Sequence, residues 1–416
     1  MKPLHICLVS KEYPPEGRGG IAKYVQLLAH GLVDEGHDVT VIAGPAGNGY
    51  SPSPSSHTSA PGPRLYRVEN RRLALPPLLR RKARGIWNQL ERSWAVDREI
   101  ARLERTQRPF DVVEMPNWGA EGLCYSLHPR APLVVRLSTP LAQVSFLKEG
   151  RSDRPGLRLA CFLEAVPARR ASCIIANSEF ISQYCVKLYR IPGARPAVIP
   201  HGIPLPDSLP PKSKARELAV TVLYVGRLEK RKGIDRLLHA IPQVIRETPF
   251  CRFVIAGDDI GEAPQGKSYR DYFESFASSA ARESTTFLGH VDDRELSQLY
   301  ADCDIFAAPS QSESFGLIYL EAMAHAKPVV AFQTGGVPEV VAHDETGILV
   351  ELDNINALAH ALVRLIQDKE LRQKMGCCGF QRVREFFPVN RMVAETVACY
   401  RRVISGESRA NANGLG

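Results

Sequence analysis

Short apolar runs alternate with stretches of helical periodicity along nearly the whole chain. Leu4 to Val9, Asp111 to Glu114 and Leu133 to Leu137 lie in one half, and Val220 to Val225, Ile305 to Ala308 and Val329 to Phe332 in the other. Runs this short, apolar on both faces, suit strands that are covered on both sides, and a helix between two strands returns the second parallel to the first. The alternation therefore restricts the chain to an α/β fold of doubly wound parallel sheets, with ligands at the carboxyl ends of the strands. At 416 residues and 44% hydrophobic content there is more material than one core holds and enough for two. The alternation breaks once, at the proline-rich PAVIPHGIPLPDSLPPKSK beginning at Pro196. The expected organisation is a first domain over 1–195, a linker over 196–217, a second domain over 218–385, a final helix within 386–405 after Phe386-Phe387-Pro388, and a polar, disordered tail over 406–416.

Composition narrows the setting. Lys11 and Glu12 cut the first apolar run short and no small-residue cleavage site follows, so it reads as a strand and not a leader. No apolar stretch approaches the ~18 residues of a membrane span, and a cytoplasmic protein is expected. Ten cysteines, including the adjacent Cys377 and Cys378, lack CxxC or Cys/His spacing and read as buried thiols. Much of the +8 net charge falls between Arg64 and Arg108, in Arg71-Arg72, Arg80-Arg81-Lys82, Arg84 and Arg92, interleaved with Leu73, Leu75, Leu78, Leu79, Ile86, Trp87, Leu90 and Trp94. That mixture fits either an interfacial surface resting on anionic lipid, making the protein peripheral at the inner face of a membrane, or a solvated helical hairpin. No recognised nucleic-acid motif accompanies it, so nucleic acid is not an expected partner.

Two segments carry chemistry. In PSQSESFGLIYLEAMAHAKPVVAFQTGGVPEVV, beginning at Pro309, Glu313 and Glu321 flank the start of a helix expected over Phe315 to Ala326, with Ser312 and Ser314 as candidate caps. Glu321 then lies roughly 9 Å along the axis from the helix mouth, about the span of a diphosphate between a hexose and a ribose. Ser314, Phe315, Gly316 and Leu317 form that mouth, where free amides and the helix dipole suit a diphosphate. A surface loop leading into a core helix with solvated glutamates has the same spacing. The second segment, Gly226-Arg227-Leu228-Glu229-Lys230-Arg231-Lys232-Gly233, follows a strand and opens a helix near Ile234. Arg227 as a fork and Lys232 as a point charge suit two anionic phosphates, although a basic loop can equally be a solvated face.

Together these motifs resemble the retaining glycosyltransferases of family 4, whose GT-B fold is two facing Rossmann-like domains with a cleft between them. The resemblance extends over HICLVSKEYPPEGRGGIAKYVQLLAHGL, HDVTVIAG, VIPHGI, the basic loop, FLGHVDDRELSQLYADCDIFAAPS and the double-glutamate loop. It implies transfer of a hexosyl group from a nucleoside-diphosphate sugar to a hydroxyl of a glycan, a lipid-linked acceptor or a small molecule, without cofactor or metal. Glu313 would then bind the transferred sugar, Glu321 the ribose, and Arg227 with Lys232 the diphosphate. Gly20, Gly226, His290 and Val291 would complete the donor site, the last two beside the base. The helix within 386–405 would cross back onto the first domain. Asp302-Cys303-Asp304 mimics a metal-binding DxD, but it stands where the family carries a structural aspartate. Gly335-Gly336 suits a plain turn or a ligand contact.

On the acceptor side, Asn117, Trp118 and Glu121 follow the run ending at Glu114. Trp118 can stack on a sugar or pack, and Glu121 can accept from hydroxyls or open a helix. Ser138 stands where many relatives carry histidine. A serine supplies neither imidazole charge nor proton handling near neutrality, and it is the one feature that favours an alternative, a catalytically weak sugar-nucleotide-binding or scaffold protein.

Overall fold

The computed structural model describes residues 2–15, 19–45, 62–69, 84–149, 155–191, 193, 195–206 and 219–406. Arg71, Arg72, Arg80, Arg81, Lys82 and the leucines at 73, 75, 78 and 79 lie outside that set, as do Gly17, Arg18, the linker from 207 onward and the tail from 407. The chain divides into two compact units, Met1–Gly202 with Val389–Gly416, and Ile203–Pro388.

The first unit holds β1 (His5–Ser10), β2 (Asp38–Ala43), β3 (Arg64–Arg67), β4 (Val112–Pro116), β5 (Leu133–Leu137), β6 (Cys173–Ala176) and β7 (Ala197–Val198). They form one sheet in the order β3-β2-β1-β4-β5-β6-β7, parallel at every pairing. In the second unit β8 (Val220–Val225), β9 (Cys251–Ala256), β10 (Thr285–Gly289), β11 (Ile305–Ala307), β12 (Val329–Phe332) and β13 (Gly347–Val350) are also all parallel, in the order β10-β9-β8-β11-β12-β13. Both sheets thus start in the middle and wind outward in both directions, the doubly wound arrangement expected from the alternation. The central strands are buried on both faces, as their mostly apolar sequences require, and the charged Glu114 and Arg136 among them pair with each other. Ile234–Glu247 shows the helical counterpart: Ile234, Leu237, Leu238, Ile241, Val244 and Ile245 fall on one stripe and are all buried.

The helix Val389–Ile404 belongs to the first unit. Its Thr396 accepts from Arg136 Nη2 at 3.0 Å, and its Tyr400 hydroxyl donates to Glu114 Oε2 at 2.7 Å. Arg136 Nε in turn donates to Glu114 Oε1 at 2.7 Å, with both side chains buried. Breaking into such a buried pair is costly, and two of its remaining hydrogen-bonding positions are met by this returning helix, while Arg136 Nη1 has no hydrogen-bond partner among the described residues.

Several expectations need correction. Arg92 is not part of a basic surface: it is buried, pairs with Glu121 at 2.8 Å and donates to the carbonyls of Ser10, Ala43 and Val68 at the carboxyl ends of β1 to β3. Cys377 and Cys378 are exposed, although Cys7, Cys185, Cys251, Cys303 and Cys399 are buried as expected. Among the described residues no helix is long and apolar enough to cross a membrane.

Candidate functional site

In the second unit the chain leaves β8 toward β9 on one side and β11 toward β12 on the other, so β8 and β11 flank the point where the winding reverses. The basic loop follows β8 and the Glu313 loop follows β11, which puts both motifs at that point. Glycine makes the approach possible. Gly233, at φ +69°, lies so close to the Pro309 carbonyl that a Cβ would stand 1.7 Å from its oxygen, and Gly335, at φ +57°, would place one 2.0 Å from the Glu313 oxygen. Gly336 N–H donates to that same oxygen at 3.0 Å. Gly335 and Gly336 therefore act as a turn that clamps the Glu313 loop.

Lys230–Lys232 form a single 3-10 turn, which aims three consecutive cations in different directions. Arg231 turns inward: it donates to Glu229 at 2.7 Å and to the Ser312 carbonyl at 3.5 Å, and its own carbonyl accepts from Gln311 N–H at 2.9 Å. Lys232 reaches the Glu313 carboxylate directly, and Ser310 Oγ donates to the same oxygen, Oε1, at 3.2 Å. Arg227 keeps 59% of its side chain exposed, 3.6 Å from Glu229, and is the guanidinium held out to solvent. Burial alone would raise the Glu313 carboxyl, but the charges of Lys232 and Arg231, with the hydrogen bonds from Lys232 and Ser310, outweigh it and hold Glu313 below the usual carboxylate range.

The helix after Glu313 is Leu317–Ala324, shorter than expected. Its N-cap is Gly316, at φ +101° with no side-chain cap, and not Ser312 or Ser314. Tyr319 fills the space a Cβ on Gly316 would need, so the glycine already has an intramolecular reason besides any phosphate. Counted from Leu317, Glu321 is four residues into the helix, ~6 Å along its axis and not the 9 Å expected. Tyr300 O–H donates to Glu321 Oε2 at 3.1 Å. His290 is exposed, 4.0 Å from Asp258, and follows β10 with half-buried Val291. Sequence reasoning missed Arg231, Ser310 and Tyr300. Arg231 lay within a visible basic run, but only the turn decides which cation faces inward.

Gly20 belongs to the first unit, where it opens the exposed start of the helix Gly20–Asp34. The acceptor-side residues follow β4 and β5 there. Asn117 is fully buried: its Oδ1 accepts from Ser138 N–H at 2.8 Å and Ser138 Oγ at 3.1 Å, and its Nδ2 donates to Tyr189 Oη at 2.8 Å. Glu121 is buried against Arg92, so it fastens the β4 loop to the ends of three other strands and does not face solvent to accept from sugar hydroxyls. Trp118 is half-buried. Asp304 Oδ2 accepts from Thr221 N–H at 3.0 Å, joining the start of β8 to that of β11 as a structural aspartate does. Among the described residues no three His, Cys, Asp or Glu side chains are grouped to hold a metal.

Two doubly wound parallel units of this order define the GT-B class. The chain has a TM-score of 0.79 to sucrose-phosphate synthase from Thermosynechococcus elongatus, at 24% identity over 97% of this chain and 100% of that one. It has a TM-score of 0.69 to Anabaena HepE, solved in complex with UDP and glucose, at 23% identity over 95% and 100%. In sequence it is 30% identical to a D-inositol 3-phosphate glycosyltransferase of Corynebacterium efficiens over 68% of this chain and 70% of that one. Residues 18–206 match Glycosyltransferase Family 4 and residues 207–382 match Glycosyl transferases group 1. The chain belongs to the family 4, group 1 glycosyltransferases, and it is a glycosyltransferase.

Proposed function

We propose that the protein is a retaining hexosyltransferase that uses a nucleoside-diphosphate sugar and a hydroxyl acceptor, without metal or cofactor. The observation that carries this reading is the contact between Lys232 and Glu313 beside the outward-facing Arg227, all at the reversal point of the second sheet. In the absence of donor Lys232 neutralises Glu313. When a donor enters, the diphosphate takes Lys232 and Arg227, and Glu313 turns to hydroxyls of the transferred sugar. The mouth of the helix, Ser314 to Leu317, and the backbone at Gly226 approach the phosphates, Glu321 takes the ribose, and His290 and Val291 border the base. HepE, whose complex contains UDP, supports a nucleoside diphosphate as the carrier.

In the reaction the anomeric C–O bond to the diphosphate breaks and a new C–O bond to the acceptor forms on the same face. The acceptor proton passes to an oxygen of the departing diphosphate, so the protein supplies charge and position and not a base. A serine at 138 is compatible with that division of labour. The acceptor side comprises Trp118 and Ser138, with Asn117 orienting the serine. The relatives' titles name both a small acceptor, D-inositol 3-phosphate, and a polymer, glycogen, so both classes belong on the acceptor panel.

The test is a panel of nucleoside-diphosphate sugars, read by thermal shift and by product formation. A ligand at 100 times its Kd adds ~2.7 kcal/mol to stability. Glu321→Gln should weaken nucleoside diphosphates and leave pyrophosphate unchanged. An α-linked donor should give an α-linked product by NMR. Equal weakening of both ligands would overturn the role of Glu321, and an inverted product the retaining assignment.

A further inference from the structure

Behind Ser138 lies a carboxylate that the reaction described above does not use. Glu164, on the helix Pro155–Arg170, is fully buried. Its Oε2 accepts from Leu141 N–H at 3.1 Å, at the first residue of the helix Leu141–Glu149, and from Tyr189 O–H at 2.9 Å. Tyr189 Oη accepts from Asn117 Nδ2, and Asn117 Oδ1 holds both the amide and the hydroxyl of Ser138. One carboxyl thus ends a chain of hydrogen bonds to Ser138 and also fixes the segment three residues further on. Its other oxygen, Oε1, is buried with no hydrogen-bond partner among the described residues.

We propose that Glu164 is a positioning residue for the acceptor pocket, a proton-dependent latch that holds the 138–141 segment through Leu141 and, by way of Tyr189 and Asn117, the Ser138 hydroxyl. The proposal rests on the acceptor-side reading of Ser138 given above. The groups facing Glu164 are Cys161 on its own helix, Cys185 and Tyr189 from the helix Glu179–Leu188 and its end, and the backbone amides of Leu141 and Gly119. Arg169 is nearby, but its Nε is engaged at 2.7 Å with the Tyr189 carbonyl. Burial raises the Glu164 carboxyl to about 7, against the lowering effect of the bonds from Leu141, Tyr189 and Gly119.

The direction of the effect follows from linkage. Any opening of the 138–141 segment that admits water returns Glu164 toward an ordinary carboxyl, so ionisation favours the open form and protonation the closed one. The pocket is therefore held below neutrality and loosened above it. As pH rises from 6 to 8, protection of the Leu141 and Ser138 amides against hydrogen exchange, corrected for the intrinsic rate, should fall about tenfold. Glu164→Gln keeps the acceptor oxygen and cannot ionise, and its protection should be flat with pH. Tyr189→Phe should retain the pH dependence at Leu141 and lose it at Ser138.

With the donor and acceptor identified by the panel, the acceptor KM should rise above neutrality while the Kd for the nucleoside diphosphate stays constant, and Glu164→Gln should flatten the KM profile. Protection independent of pH in the natural protein would overturn the latch, and so would an equal pH dependence in Glu164→Gln. The exchange measurement on the natural chain needs neither substrate nor variant. A failed transferase reading would leave it intact, and a failed latch would leave donor turnover intact.

Discussion

Substituting alanine for Gly335 tests whether the Glu313 loop is clamped by backbone contact. An alanine Cβ would stand 2.0 Å from the Glu313 carbonyl oxygen, 3.1 Å from its carbon and 3.3 Å from its nitrogen, whereas ordinary contact begins at 3.4 Å. Relief needs about 1.4 Å of separation (3.4 minus 2.0), and both partners are backbone, with no side chain to swing away. The left-handed conformation at φ +57° costs an alanine roughly 1–2 kcal/mol. Loss of the Gly336 N–H bond to the Glu313 carbonyl adds about 1 kcal/mol. The total is roughly 2–3 kcal/mol, borne by the second unit. Displacing Glu313 by about 1 Å should also lower turnover on the order of 100-fold.

The control is Gly261→Ala in the same unit, at φ +69° with nothing within 4 Å of its Cβ position. Gly261→Ala carries the conformational penalty alone. Urea unfolding of both variants, with donor turnover measured in parallel, separates conformation from contact. If Gly335→Ala costs no more than Gly261→Ala and keeps its turnover, the clamp does not exist.

Three further outcomes follow from the same contacts. Lys232→Met leaves Glu313 buried with Arg231 and Ser310, and should cost about 2 kcal/mol at pH 7, less than a fully buried pair because Lys232 is partly exposed. Because the Glu313 carboxyl is depressed, its pairing stabilises above its unfolded value of 4.5 and is lost as pH falls through the lower folded value, so unfolding in acid should be less pH-dependent in the variant. For Glu164 the sign is opposite: its folded value, about 7, lies above 4.5, so its stabilisation is complete below 4.5 and lost as pH rises through 7. That gap corresponds to roughly 3 kcal/mol. Most of it falls between pH 5 and pH 8, so the stability of the natural protein relative to Glu164→Gln should drop by about 2–3 kcal/mol over this range, and an unchanged difference would refute it. Ser138→His puts an imidazole where a buried hydroxyl shares Asn117 Oδ1 with its own amide. The acceptor KM should rise on the order of tenfold with donor binding unchanged, and a rise in turnover instead would show that the serine impairs the site.

Much of the architecture was legible because parallel strands advertise themselves. Val220–Val225, Leu133–Leu137 and Val329–Phe332 are short, mostly apolar runs, and the structure places strands over those same residues. Strand order was not legible, because periodicity marks where strands lie and not which ones pair. Helix boundaries were harder: Phe315 is as apolar as its neighbours, and only the left-handed Gly316 beside the Tyr319 ring delays the helix to Leu317. The donor-side cluster could be anticipated from charge and spacing, since Lys232 and Glu313 are the expected residues and they touch. Side-chain direction was not legible. Nothing in the sequence distinguishes inward Arg231 from outward Arg227, or marks Arg92 as the buried partner of Glu121. Glu164 was invisible for the same reason, being one acid in an ordinary amphipathic stretch until the fold brings Leu141 and Tyr189 to it.

The returning helix Val389–Ile404 affects the order in which the polypeptide can mature on a ribosome. Ile203 and Pro388 pair as a parallel bridge and Ile203 N–H bonds the Phe387 carbonyl at 3.0 Å, so the second unit enters and leaves at one spot and has all its strands between those residues. The first unit, although synthesised earlier, must wait with the buried Arg136–Glu114 pair two hydrogen bonds short until Thr396 and Tyr400 emerge. The later-made half can therefore be complete without the returning helix and the earlier half cannot, and a released chain truncated after Pro388 should present a protease-resistant second unit beside a protease-sensitive first one.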